Sequence, residues 1–591
     1  MSNQPFAPLP SPEEMSRWDA AAVEEAGVPA ALLMENSGKA ALDALLKEFG
    51  NLRGKRMLIF MGKGNNGGDG AVLARLALNA GAEVLVCHLH PLPEVNLEDV
   101  HAPYAAPSGI GANALHIALA RAAGVEFFQL ARAFSPFPEP YWEHPDIVVD
   151  ALLGTGLKGA LRDEHAALVK RINLFRNLRP ANCSGGCSCN TAASDAQWPG
   201  LAWPAPETSD TSPSRPTTEP FVLSLDIPSG LNGVSGRPLP SAVAAHATIT
   251  FEAPKPGLLA PEARPYLGKL LVAPVGIPKE IKQRYPVGLA LLMPDCVAVT
   301  PNPYTFQHKN MAGKVLIVGG STGMAGAPYL AALGAFRAGA GRVAVACPAG
   351  LENQIRAALP DLLTIPLGNG GEWTAEAAAE LAPLLKNWNS VVLGPGLGTG
   401  EGATAVVSAC LNASERGPVL ADADALNIIS QNRELFTALT WRDLLTPHPG
   451  EAARLLGTNT AAVLADRTAS LNSLLKLTRA TVVFKGPTTL IGQAGRMALS
   501  PFIEPNLALA GSGDVLAGIG GAFLALGIPA FDVACAAVYL HGTGGRLLHK
   551  TFPFRGNLPS EIAEIIPEAR VALSRVAADW VPDLSESPDV F

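Results

Sequence analysis

The stretch Asn506-Leu-Ala-Leu-Ala-Gly511-Ser512-Gly513-Asp514-Val-Leu-Ala-Gly518, with the apolar segment behind it, decides how this chain is read. Gly511, Ser512 and Gly513 let the backbone turn tightly and come close to a ligand. From Val515 small and apolar residues run on through Phe523 and Leu526, the pattern of a helix that starts at the turn. A glycine turn feeding a helix N-terminus presents unpaired N–H groups and the positive end of the helix dipole, which suits phosphate. Asp514 is the odd member. A carboxylate at the mouth of an anion site repels phosphate, so proton transfer explains it better: it can take the proton of a hydroxyl that attacks a phosphoryl group. The alternative is an aspartate that caps the helix, and the local sequence leaves both open.

Upstream, a series of short apolar runs leads into polar turns. Lys314-Val-Leu-Ile-Val318 enters Gly319-Gly-Ser321 and a helix over 328–338, and Arg342–Cys347 is the next strand. Ser390–Leu393 enters Gly394-Pro-Gly396-Leu-Gly398, Pro418–Ala421 ends on Asp422-Ala-Asp424, and Leu444-Leu-Thr446 enters Pro447-His448-Pro449. Ala480–Phe484 enters Lys485-Gly486-Pro487-Thr488-Thr489. Strands alternating with helices predict a parallel sheet whose ligands sit at the carboxyl ends of the strands. That edge collects Gly396, Asp424, His448, Lys485, Thr488, Gly513 and Asp514. His448, fixed between two prolines, is placed for binding or for packing. Lys485 and the threonines after it suit nucleotide phosphates, with a solvated lysine at a strand end as the alternative.

The N-terminal half repeats the theme. Helical spacing over 13–26 and 29–49 precedes the strand Arg56–Met61. Gly62-Lys-Gly-Asn65-Asn66-Gly67-Gly68-Asp69-Gly70 then reads as a loop, with a helix over 71–80 and a strand over 83–89. The loop is neither a dinucleotide fingerprint nor a P-loop. Its amide and carboxylate groups suit sugar hydroxyls, an amide or a monovalent cation, or simply a turn. Two more strands end on acids: Asp146–Asp150 before Gly154-Thr155-Gly156-Leu157-Lys158-Gly159, and Phe221–Leu225 before Asp226-Ile-Pro-Ser229-Gly. Further strands are read at 247–251 and 269–274, with Lys255-Pro-Gly between them. These strand ends point to one cleft holding Asn66, Asp150, Asp226 and Ser229.

Composition narrows the classes. At 591 residues with 48% hydrophobic and 16% charged, the chain has material for two to four domains. A net charge of −8 without a basic run argues against nucleic acid and anionic membrane as partners. The N-terminus lacks a basic and apolar leader pattern, and most of the eight cysteines sit in apolar runs, which together predict a cytoplasmic protein. Residues 180–220 are rich in Pro, Ser, Thr and Ala and read as a disordered insertion. Its Cys183, Cys187 and Cys189 lack a fourth ligand at finger spacing, so no structural zinc is expected.

The motifs together resemble one family. Asn-Asn-Gly-Gly-Asp-Gly, Asp-x3-Gly-Thr-Gly and Asp-Ile-Pro-Ser-Gly are similar to the epimerase part of bifunctional NAD(P)H-hydrate repair enzymes. Thr-Pro-His-Pro-Gly-Glu, Lys-Gly-x-Thr and Gly-Ser-Gly-Asp resemble their ADP- or ATP-dependent dehydratase part. The resemblance implies an α/β protein of two domains, a Rossmann-like three-layer sandwich over 1–290 and a ribokinase-like fold over 291–591. It implies that the epimerase contacts hydrate through Asn65, Asn66, Gly67, Gly68, Asp69, Gly154, Thr155, Gly156, Leu157, Lys158, Gly159, Ala160 and Asp226. Asp226 would move the proton, and Asn66, Asp150 and Ser229 would hold K⁺. In the dehydratase Ala327, Gly396, His448 and Asp514 would meet the hydrate, Asp514 as base. Lys485, Gly486, Pro487, Thr488, Thr489 and Gly513 would meet ADP or ATP, with Mg²⁺ as counter-charge. The resemblance favours ADP and a homo-oligomer. Two departures stand out: Asn506-Leu-Ala-Leu-Ala where a Gly-Met pair commonly follows the Asn, and His308-Lys-Asn310 where His-Lys-Gly is usual. The rival readings are a small-molecule kinase of the same fold, and an N-terminal half that only senses a ligand.

Overall fold

The computed structural model describes residues 5–95, 97, 111–156, 159–176, 219–301, 308–309, 311–357 and 359–578. Leu157, Lys158, Asn310 and the cysteine-bearing segment fall outside the described residues. The chain divides into two compact units, Pro8–Val287 and Gly288–Pro582, the residues up to Ala7 going with the second. This differs from a split into 1–290 and 291–591 at its ends. Phe6–Pro8 and Ala290–Leu292 are short edge strands of the C-terminal sheet, too brief for a period to be read from sequence. Among the described residues no helix is long and apolar enough to cross a membrane.

The N-terminal unit is built on seven parallel strands. In spatial order they are Glu126–Gln129, Glu83–His88, Arg56–Met61, Ile147–Ala151, Phe221–Leu225, Ala247–Phe251 and Lys269–Ala273. The chain steps outward from Arg56–Met61 to one edge and returns to lay Ile147–Ala151 on its other side. That reversal is the switch point, where ligands enter doubly wound sheets. Alternate side chains go to opposite faces. Met57, Ile59, Ile147 and Val149 join Trp18, Ala41 and Leu73 in one core. Leu58, Phe60 and Val148 join Trp142, Ile172 and Phe175 in the other. Because both faces are covered, the strands read as unbroken apolar runs.

One element differs from expectation. The glycines after Met61 do not form a long loop; the helix Asn65–Asn79 begins within them. Tertiary packing overrides glycine's low helix propensity here. A Cβ on Gly67 would lie 1.9 Å from the Gly62 carbonyl oxygen, and one on Gly70 would lie 2.7 Å from the Ala151 side chain.

The C-terminal unit has an eleven-stranded sheet with a parallel core. Its core order is Leu363–Leu367, Arg342–Pro348, Lys314–Val318, Ser390–Leu393, Val419–Ala421, Leu444–Leu445 and Thr481–Phe484. The antiparallel strands Leu490–Gln493 and Arg496–Leu499 extend it. Here the switch point lies between Lys314–Val318 and Ser390–Leu393. The helix after the opening turn starts at Ser512, earlier than Val515, and runs to Leu524. It lies against the helix Gly326–Arg337 at a distance only glycine permits: a Cβ on Gly518 would stand 2.0 Å from the Ala331 carbonyl oxygen.

Candidate active sites

The N-terminal site forms where Ile147–Ala151 and Phe221–Leu225 end. Asp150 is fully buried, and its carboxylate accepts hydrogen bonds from Ser229 Oγ (2.5 Å), Ser229 N (2.8 Å), Ser224 Oγ (2.9 Å) and Leu152 N (3.3 Å). Burial raises its pKa, and those donors oppose the rise. Asn66 is buried in the first turn of its helix and donates through Nδ2 to the Leu153 carbonyl (3.1 Å), while its Oδ1 has no partner. Asp226 leaves its strand at φ 61°, a backbone strain of the kind that gathers at functional sites. Its Oδ1 accepts from Lys255 Nζ at 2.6 Å and its Oδ2 from Thr155 N at 3.3 Å. Lys255 is 1% exposed, and it also donates to Thr250 Oγ1 and the Phe251 carbonyl.

These groups open onto a cavity of about 710 Å³, with Asn65, Asn66, Gly154, Thr155, Gly156 and Ala160 on its wall. A Cβ on Gly154 would sit 3.1 Å from Asp226 Oδ2, so the loop passes close against that carboxylate. Asp69 also lines the cavity; burial, then Asp226 and Asp19, hold its pKa well above the usual carboxylate range against the Ser37 hydrogen bond. Gly67 and Gly68 are packed away from this wall, Gly68 within 2.4 Å, at Cβ distance, of Met34 Sδ. Gly159 is a turn residue at φ 91°.

The C-terminal site gathers at the carboxyl ends of Val419–Ala421, Leu444–Leu445 and Thr481–Phe484, on the Ser390–Leu393 side of the switch point. Lys485 Nζ donates to Asp422 Oδ1 (2.7 Å), which also accepts from Thr446 Oγ1 (2.7 Å), and Glu451 stands 4.0 Å from the lysine. Burial pulls the Lys485 pKa down, but Asp422 and Glu451 outweigh it, and the net shift is upward. A Cβ on Gly513 would lie 3.2 Å from Lys485 Nζ, which puts the first turn of Ser512–Leu524 beside the ammonium. Gly511, at φ 92°, precedes that helix, and no side chain caps it. Asp514 is therefore not the cap. It lies inside the first turn, where burial pushes its pKa up to about 7, with Asp422 adding to the rise and Lys485 opposing it. Burial likewise pushes Glu451 up to about 7.

His448 is exposed, so it is not a core filler. It starts the helix Pro449–Leu456, its Nδ1 accepting from Gly450 N (3.0 Å) while Glu451 accepts from its own N–H (2.8 Å). Partial burial, then Lys485 and Arg454, lower its pKa. Gly396 lies against Ala327, with 3.2 Å between the Cβ it lacks and that of Ala327. Asp424 turns from the lysine and accepts from Gly398 N (2.8 Å), fixing the glycine loop. The turn from Lys485 to Thr489 is held by Arg467, which donates to the carbonyls of Pro487 (2.6 Å) and Thr488 (3.1 Å).

Two family models match this chain: one described as NAD(P)H-hydrate dehydratase over 315–568, and one described as YjeF-related protein N-terminus over 30–181 and 207–257. The bifunctional NAD(P)H-hydrate repair enzyme Nnr of Moorella thermoacetica is 31% identical over 94% of this chain and 95% of that protein. The chain belongs to the family of bifunctional NAD(P)H-hydrate repair enzymes. Its namesake in Coxiella burnetii is 32% identical over 93% of this chain and 96% of that protein. Among solved structures, the ADP/ATP-dependent NAD(P)H-hydrate dehydratase of Bacillus subtilis, co-crystallised with ATP and Mg²⁺, is 26% identical. It covers 47% of this chain and 96% of its own, with a TM-score of 0.40.

Sequence reasoning missed four residues that stand in the two candidate sites. Lys255 sits in a Lys-Pro-Gly turn and looks solvated, though its partner Asp226 ends a neighbouring strand. Asp19 lines the N-terminal cavity from a helix that sequence marks only as amphipathic. Asp422 stands beside Asp424 at one strand end, and the sequence does not tell which of the two faces Lys485. Glu451 reads as a first-turn helix acid. The signal available was the clustering of charges at predicted strand ends.

Proposed function

We propose that the chain repairs hydrated nicotinamide dinucleotides, with residues 1–290 interconverting the R and S epimers and residues 291–591 dehydrating the S epimer at the expense of ADP or ATP. One observation carries the reading: each unit holds, at the carboxyl rim of its parallel strands, an acid paired or surrounded for proton transfer. These are Asp226 on Lys255 and Asp514 beside Asp422 and Lys485.

The chemistry comes from the substrate. Water adding across the enamine double bond of a dihydropyridine leaves its hydroxyl on the carbon next to the ring nitrogen, a hemiaminal. In the C-terminal unit Asp514, with a pKa near neutrality, takes the proton of that hydroxyl as its oxygen attacks the terminal phosphoryl group. Lys485 and the first-turn N–H groups of Ser512–Leu524 receive phosphate charge. Phosphate then leaves with the C–O electron pair, a proton is lost from the neighbouring carbon, and the double bond returns. With ADP, the favoured nucleotide, the products are the reduced dinucleotide, AMP and phosphate.

Two ions fit the residues present. Asp150 is buried with no cationic side chain paired to it among the described residues, and Asn66 Oδ1 is a buried oxygen without a partner. A buried unpaired carboxylate calls for counter-charge, which K⁺ held by Asn66, Asp150 and Ser229 would supply. Among the described residues no three His, Cys, Asp or Glu converge to hold a metal ion, which fits Mg²⁺ that would be carried by the nucleotide phosphates themselves. Mg²⁺ would neutralise charge on those phosphates. Among the described residues five cysteines are free and buried, in keeping with a reducing cytoplasm.

The test is direct. Purified protein receives hydrated NADH with ADP or ATP and Mg²⁺, and the return of dihydronicotinamide absorbance is monitored. Recovery from both epimers, faster with ADP, is expected. A stable phosphorylated product would favour a kinase instead.

A further inference from the structure

Epimerising a hemiaminal needs two proton carriers. One must take the hydroxyl proton so that the carbonyl forms, and another must give a proton to the ring nitrogen as the C–N bond breaks. Asp226 meets the first need. Its Oδ1 is paired with Lys255, and its Oδ2 lies by the Gly154–Thr155 wall, where it can receive a proton from a bound hydroxyl. Lys255 does not meet the second, because its three donors are already spent on Asp226, Thr250 and Phe251.

Two carboxyls remain in the cavity, Asp69 and Asp19. Asp69 is 8% exposed and already hydrogen-bonded to Ser37, so it is the less accessible of the two. Asp19 is open to the cavity. It stands on the helix Pro12–Glu24, which presents Met15, Ser16, Asp19 and Val23 to the cavity at helical spacing. The helix is firmly placed. Ser11 and Glu14 close a capping box at its start, Trp18 is 1% exposed, and the Trp18 indole N–H donates to the Tyr285 carbonyl at 2.8 Å.

We propose that Asp19 is the proton donor that works opposite Asp226 in this cavity. The proposal rests on the reading of the cavity as the epimerase site. The hydroxyl proton passes to Asp226, and the O–H pair becomes the second bond of an aldehyde. The C–N pair withdraws to the ring nitrogen, which takes the proton of Asp19. Rotation about the adjacent C–C bond turns the aldehyde's other face to the nitrogen. Closure returns one proton to Asp19 and one to the new hydroxyl, so no oxidant, reductant or water is consumed. Asp19 is exposed on its helix, yet the protein packed around its carboxyl raises its pKa to about 6, Lys255 opposing this, with Asp226 and Glu252 adding to it. Asp69 faces it from Asn65–Asn79, and Lys63, His90, Arg162 and His165 share the cavity wall.

The experiment uses the full chain without nucleotide, so that dehydration is idle. R-epimer is supplied, and chromatography that separates the epimers tracks its conversion. Asp19→Asn is expected to lower kcat by about 10²-fold or more with little change in KM. It should also abolish the loss of rate that the wild type shows as pH rises past about 6. Asp19→Glu should restore part of kcat together with that limb, which a purely structural residue would not do. Asp19→Asn retaining wild-type kcat and an unmoved limb overturns the assignment of Asp19 alone. Failure of the wild type to interconvert the epimers overturns the epimerase reading and this proposal with it.

Discussion

Replacing Asp514 with Asn should stabilise the C-terminal unit while nearly abolishing its chemistry. The folded carboxyl is raised from 3.8 to about 7, chiefly by burial and by the neighbouring Asp422. The folded state therefore holds this proton more tightly than the unfolded chain does. Above pH 7 the ionised group weighs against the fold; the effect fades as pH falls from about 7 to 4 and is absent below that. A gap of about three pH units at ~1.4 kcal/mol each sets a ceiling of ~4 kcal/mol. Solvent access and coupling to Glu451 reduce this to ~1–2 kcal/mol, or roughly 2–4 °C in melting temperature for a unit of this size. The assay is thermal unfolding of the full chain at pH 8 and pH 5, taking the transition that adenine nucleotide shifts as that of the C-terminal unit. Asp514→Asn should melt higher at pH 8, with the gain shrinking at pH 5. It should bind nucleotide as well as the wild type and turn over about 10²–10⁴-fold more slowly. A variant that melts lower at pH 8, or that dehydrates at the wild-type rate, would refute the assignment of Asp514 as a strained base.

Three further outcomes are expected. Asp226→Asn should lose R-to-S conversion, read by chromatographic separation of the epimers, yet still dehydrate S-epimer supplied directly; loss of both activities would mean that the residue holds up more than its own site. Lys485→Met, assayed at saturating nucleotide, should move the acid limb of dehydration to higher pH, because the lysine lowers the Asp514 pKa; a limb that stays put or falls disproves that coupling. Gly518→Ala places a Cβ 2.0 Å from the Ala331 carbonyl and should destabilise the C-terminal unit by about 1–3 kcal/mol, measured as a lower urea midpoint; an unchanged midpoint would mean the two helices pack less closely than described.

Strand positions were legible because both sheets are covered on both faces, so Met57–Phe60 and Val391–Leu393 carry apolar side chains at every position. The segments leaving the strands were harder to read. Glycine's helix penalty argued for a loop over 62–70, yet the close approach of Gly67 to Gly62 and of Gly70 to Ala151 makes those residues the entry of a helix. Pairings between distant residues were not legible at all. Asp226 and Lys255 meet across adjacent strands, and no local pattern distinguishes that lysine from a solvated one.

The acids at the end of Val419–Ala421 show why local rules fail where the chemistry lies. Asp422 and Asp424 are two residues apart and serve different partners, Lys485 and Gly398, because Ala423 between them adopts φ 50°. Asp226 at φ 61° and Thr488 at φ 53° are also non-glycine residues held in the left-handed region at the carboxyl rim of a parallel sheet. Each such residue costs about 1–3 kcal/mol and persists only because its surroundings over-determine it. For Asp226 those surroundings include the Lys255 ammonium, the Thr155 N–H and the bond from its own N–H to Ile249 at 2.7 Å. Sequence patterns record the propensities that such sites override, so a strand-end acid can be found by pattern, but the direction its side chain takes comes only from the packing that holds it there.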